Sequence, residues 1–97
     1  MLKQNPSDPE LQRRRLRALV GLKNYNEAIK LGQKVIKDSY GRNEFYVAEV
    51  LAKAYLGAEQ KAQAKALIDQ YLGRNEIEFA NMKASKKSLE ELKQKAI

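Results

Sequence analysis

The chain has 97 residues and carries 19 lysines and arginines against 12 aspartates and glutamates, a net charge of +7. It contains no cysteine and no histidine, which removes disulfides, thiolate zinc sites, cysteine nucleophiles and the usual general base. A chain of this size builds one modest core rather than a core plus a deep substrate cavity, and no apolar run approaches the roughly 18 residues of a membrane span.

Asp8-Pro9-Glu10 is a helix start: Asp8 caps free amides, Pro9 suits the first helical position, and Glu10 favours the positive end of the dipole. Leu11, Leu16, Leu19 and Val20 then recur at helical spacing with arginines between them. Gly21 loosens the end of this helix and Lys23-Asn24 makes a short turn. In the second helix Ala28, Leu31, Val35 and Ile36 form the apolar stripe, and Glu27, Lys30, Lys34 and Lys37 face water. Asp38-Ser39-Tyr40-Gly41 stops it, with Gly41 suited to the left-handed conformation. Phe45-Tyr46-Val47 favours β structure locally, but Val47, Val50, Leu51, Ala54 and Tyr55 set a helical period over residues 43–57.

After a turn at Gly57-Ala58-Glu59, a fourth helix is striped by Ala62, Ala64, Leu67, Ile68, Tyr71 and Leu72 and ends at Gly73. From about Glu76 the pattern is helical and more polar, with Ile77, Phe79, Met82, Leu89 and Leu92 as its apolar set. Ile77, Phe79 and Met82 are expected to cover the open edge of the preceding helices. Ser88 with Glu91 reads as a capping box that would divide this segment, so one helix or two both fit.

The charge is uneven. Residues 1–42 hold ten basic and four acidic groups, and residues 43–97 hold nine and eight. The excess is densest at Arg13, Arg14, Arg15 and Arg17, and a basic patch of this kind steers acidic peptides, nucleic acid or anionic lipid.

The chain also matches itself at an offset of 36 residues. Ala18-Leu19-Val20-Gly21 falls on Ala54-Tyr55-Leu56-Gly57, Ala28 on Ala64, Leu31 on Leu67, and Val35-Ile36 on Tyr71-Leu72. A repeat of this length built from two helices points to a stack of helical pairs, since one pair cannot bury its apolar face alone. Leu51-Ala52-Lys53-Ala54-Tyr55 with Ala64 nine residues on, and Asn24-Tyr25-Asn26-Glu27-Ala28-Ile29, resemble the tetratricopeptide repeat family. Leu16 with Ala28, and Ala52 with Ala64, stand where the helices of such a pair cross. The sequence departs from the family pattern at Leu16, larger than the expected small residue, at Gly32, which replaces an aromatic, and at Tyr40 and Glu76, which replace closing prolines.

The resemblance implies an all-α, right-handed helical-pair solenoid of about five helices. Residues 1–8 form a lead-in, with Pro6 like the end of a preceding repeat. Residues 9–42 and 43–75 are two repeats, and 76–97 a capping helix. Two repeats fall short of the three or so such stacks use, so the chain reads as a piece of a longer array with Met1 an artificial start, or as a small protein that completes its stack as a homodimer through its exposed repeat edges.

In this family the first helices of successive repeats line a groove for a peptide or helix. Carried over by register, the partner-binding residues are Arg13, Arg17 and Val20 from the first repeat and Tyr46, Glu49, Lys53 and Leu56 from the second. Arg13 and Arg17 share a helical face, and Lys53 is the register mate of Arg17. Guanidinium and ammonium groups on one wall suit a carboxylate or an acidic segment of a protein partner, and Tyr46 adds a flat amphipathic contact.

Nucleic acid is the second reading of the charge. Against it, the four arginines spread around the helix at about 100° per residue and no aromatic residues are interleaved for stacking. Lys83, Lys86, Lys87, Lys93 and Lys95 alternate with Glu90 and Glu91 as on an ordinary exposed helix. No paired carboxylates face one another, the serines at 7, 39, 85 and 88 are explained as caps, and no phosphate-cradling motif is present. Neither catalytic residues nor metal ligands are expected, nor any cofactor.

Overall fold

The computed structural model describes residues 9–96. Asp8, Pro6 and the rest of the proposed lead-in lie outside the described residues. Five α-helices follow one another: α1 (Pro9–Gly21), α2 (Tyr25–Lys37), α3 (Gly41–Gly57), α4 (Lys61–Leu72) and α5 (Lys83–Ala96), with two short 3₁₀ turns, Asn75–Glu78 and Ala80–Met82, between the last two. The fold is all-α, as the periodicity predicts, and α3 begins two residues earlier than the pattern suggested.

The layout centres on α3, which packs against α1, α2, α4 and α5. Phe45, Val47, Ala48, Ala52 and Ala54 are fully buried along it. Alanine at three of these positions lets neighbouring helices approach closely on several sides of one backbone. Leu16 of α1, Ala28 of α2 and Ala64 of α4 are also fully buried. The larger Leu16 is accommodated without exposure.

The turn between α1 and α2 recurs between α3 and α4. Leu22, Lys23 and Asn24 donate their amides to the carbonyls of Ala18, Val20 and Leu19 at 2.9, 3.0 and 2.8 Å. Ala58, Glu59 and Gln60 donate to Ala54, Leu56 and Tyr55 at 3.0, 3.1 and 2.8 Å, each pair 36 residues further on. Lys23 and Glu59 take the left-handed conformation at φ 61° and 62°, a strain of about 1–2 kcal/mol for a non-glycine residue. Matching carbonyls are satisfied in both turns, which offsets that strain.

Gly57 and Gly32 serve close helix approach instead. The Tyr25 ring lies over Gly57, so that a Cβ there would fall 2.3 Å from it. Gly32 likewise lets α2 approach Leu51, whose Cδ1 would be 2.7 Å from an added Cβ. This explains a residue without bulk where the family resemblance suggests an aromatic. Gly41 does take the left-handed conformation, at φ 62°, but as the first residue of α3 and not as the end of α2.

The pattern predicts helix from about Glu76, as one helix or two; α5 begins only at Lys83, after the 3₁₀ turns Asn75–Glu78 and Ala80–Met82. Arg74 donates to Glu44 at 2.7 Å and pairs with Glu76, and the Tyr71 hydroxyl donates to Glu44 at 2.6 Å. The guanidinium also stands 5.2 Å from the Phe45 ring centre and 5.3 Å from that of Tyr71. This clamp ties the end of α4 to the start of α3 and turns the chain before α5. Burial, then the bond to Glu44, raise the Tyr71 phenol well above its ordinary pKa.

Ile77 and Met82 are buried as expected, but Phe79, in extended backbone between the two turns, is 56% exposed. Ser88 lies inside α5 and caps nothing, so the segment holds one α-helix preceded by two 3₁₀ turns. Lys93 pairs with Asp69 at 2.9 Å and joins α5 to α4.

Two register-related glycines give opposite expected outcomes. Gly57→Ala displaces the Tyr25 ring and costs about 1 kcal/mol or more. Gly21→Ala meets nothing within 4 Å and is neutral or stabilising by up to about 1 kcal/mol. Thermal melts of the two variants check this.

Candidate functional site

Packing on α3 by four helices leaves one strip of its surface open. Arg42, Asn43, Tyr46, Glu49 and Lys53 occupy that strip at helical spacing, half-buried or exposed. On one side α1 completes an open recess of about 230 Å³ lined by Arg17, Val20, Gly21, Tyr46, Glu49, Val50 and Lys53. On the other side α5 completes a larger one of about 690 Å³, lined by Arg42, Asn43, Tyr46, Glu49, Ala84, Ser85 and Ser88. Tyr46 and Glu49 border both, so the recesses form one groove across α1, α3 and α5.

Of the residues named from the sequence, Arg17, Val20, Tyr46, Glu49 and Lys53 come together in the first recess. Arg13 lies one turn before Arg17, half-buried, and lines neither recess. Leu56 is packed against both halves of the hydrophobic core and borders neither recess. Arg14 points elsewhere, paired with Glu10 at 3.0 Å.

Sequence reasoning missed Arg42, Asn43, Ala84, Ser85 and Ser88. Ser85 and Ser88 lie within α5 and the Ser85 hydroxyl donates to Glu49 at 3.3 Å, against the expected capping role, whereas the Ser39 hydroxyl donates to the Val35 carbonyl at 2.8 Å and closes the end of α2. The three-residue spacing of Ser85 and Ser88 places both on one face of α5, a signal that becomes readable only once that face is known to meet α3.

Electrostatically the groove is cationic at its ends, with Arg17 and Lys53 on one side and Arg42 on the other, around a single carboxylate. Burial raises the pKa of Glu49 above the ordinary carboxylate value, against the opposing pull of hydrogen bonds from Ser88 and Ser85 and of the Lys53 charge. The site therefore holds a hydrogen-bonding carboxyl between cations, an arrangement suited to binding. Among the described residues no cluster of acidic side chains forms a metal site, and no helix is long and apolar enough to cross a membrane.

Comparison with family models, with curated proteins and with solved structures finds no match to this chain.

A raised native pKa means the folded chain holds the Glu49 proton more tightly than the unfolded chain. Stability thus falls as pH rises from the ordinary carboxylate value through the native one. Glu49→Gln is expected to raise the melting temperature at pH 7 relative to wild type, with the difference shrinking as pH approaches about 4. Calorimetric melts across that window measure it.

Proposed function

We propose that this chain is a non-catalytic protein–protein interaction module, a stack of two tetratricopeptide-like helical pairs closed by α5. Its groove across α1, α3 and α5 holds an acidic, extended segment of a partner protein. The observation that carries this reading is the meeting of Arg17 and Lys53, from separate helices, in one recess beside Tyr46. A carboxylate entering there finds two cations and a flat ring on rigid helical supports, so little ordering is needed on binding. Arg42, at the far end of the groove, extends the same preference over several residues of a bound segment.

Glu49 fits this role as an acceptor for backbone amides of the bound segment. The repeated turns between the paired helices support the helical-pair description, and the lining of the groove by residues of α1, α3 and α5 supports the reading of its use. The helical pairs divide between α2 and α3, just before Gly41 and two residues ahead of the boundary expected between repeats 9–42 and 43–75, and the segment after α4 closes the stack.

The test is selection from a display library of random short peptides, followed by fluorescence anisotropy of the enriched sequences. Wild type is expected to enrich carboxylate-rich peptides, and Arg17→Glu with Lys53→Glu to weaken them by more than about tenfold while circular dichroism stays unchanged. Enrichment of basic or neutral peptides, or binding that survives the double reversal, overturns the assignment.

A further inference from the structure

A second surface lies at the end of the molecule formed by α1 and α2, and it adjoins the groove at Gly21. Its counterpart in the second helical pair is covered by α2. There the Tyr25 ring lies over Gly57, Gly32 admits Leu51, and Gln33 Nε2 donates to the Tyr55 hydroxyl at 2.8 Å. The residues 36 positions before Gly57, Leu51 and Tyr55 are Gly21, Arg15 and Leu19.

At this end nothing lies within 4 Å of a Cβ built on Gly21. Ala18 is exposed where its mate Ala54 is fully buried, and Leu22 is 77% exposed. Leu19 and Leu31 floor a recess of about 350 Å³ rimmed by Arg15, Lys30 and Lys34, with Glu27 its one acid. The spacing of Glu27, Lys30, Leu31 and Lys34 sets them along one face of α2.

We propose that this end docks an amphipathic helix of a partner protein that carries acidic residues beside its apolar stripe. The shape follows from the repetition: in the second pair the same backbone arrangement receives a helix, α2. The chemistry follows from the exchange of residues. Where α3 offers Leu51, α1 offers Arg15, and Lys30 and Lys34 of α2 line the same recess as Arg15.

A second copy of this chain fits poorly, because α2 and α5 are themselves lysine-rich and would set cations against cations. A helix with glutamates on its flanks pairs with Arg15, Lys30 and Lys34 and covers Leu19 and Leu31. Its apolar stripe supplies burial, and its charges supply selectivity and association rate. An aromatic residue near its start fits over Gly21 as Tyr25, the first residue of α2, fits over Gly57.

The experiment titrates the full chain with three labelled helices of roughly 18 residues. All share one leucine stripe with a leading phenylalanine, and they differ in glutamate, lysine or glutamine flanks. The glutamate form is expected to bind at least about tenfold tighter than the lysine form, shifting the backbone amide resonances of Leu19, Lys30 and Leu31. Lys30→Glu with Lys34→Glu, both exposed positions, is expected to reverse that order with helicity retained. Arg17→Glu with Lys53→Glu, which tests the groove, is expected to leave it within about twofold. Equal binding of the three helices, absence of binding, resonance shifts confined to Tyr46–Lys53, or self-association of the chain through this end each overturn the proposal.

Discussion

Enclosure of α3 on nearly every side is the constraint from which the remaining structure follows. A helix touched by four others must be lined with small residues where backbones approach and filled with larger ones between them. Ala48, Ala52 and Ala54 meet the first need, and Phe45, Val47 and Leu51 the second. Burying a side chain such as Phe45 contributes about 1.5–3 kcal/mol. The one strip that escapes coverage, from Arg42 through Tyr46 and Glu49 to Lys53, becomes the groove. The same packing that stabilises the chain thereby fixes the position of the groups proposed to bind a partner.

The two ends of the molecule are finished differently. At one end α5 places Leu89 and Leu92 in the core and is tied by the Lys93–Asp69 pair, while Arg74 clamps the preceding turn to Glu44. At the other, α1 contributes a single fully buried side chain among its described residues, Leu16, with Leu11, Leu19 and Val20 half-covered. Fewer buried contacts mean a lower local opening free energy. The less anchored helix is also the one that carries the densest positive charge and borders both proposed surfaces.

Much of this was legible in residue spacing. The apolar stripes place four helices within two residues of their observed limits, and the 36-residue offset between Ala18-Leu19-Val20-Gly21 and Ala54-Tyr55-Leu56-Gly57 reappears as two turns with matching hydrogen bonds. The offset did not disclose why glycine recurs. Gly57 gives room to Tyr25, while Lys23 and Glu59 adopt the left-handed backbone.

Residues 76–82 depart from the helix that the pattern predicts from about Glu76, because the course of the chain there rests on Arg74 reaching Glu44, thirty residues away, and no local periodicity records such a contact. The groove was half readable. Register brings Arg17, Val20, Tyr46, Glu49 and Lys53 together, whereas Ser85 and Ser88 join only through the placement of α5. Leu56 shows the limit of register, since a position on the right turn of the helix belongs here to the core.

Residue-resolved native-state hydrogen exchange tests the central role of α3 most directly. Amides from Val47 to Ala54 are expected to exchange only through global unfolding, with those of α1 exchanging at least about 100-fold faster through local opening and those of α5 lying between. Protection of α1 equal to that of α3, or exchange from α3 ahead of its neighbours, would contradict the account.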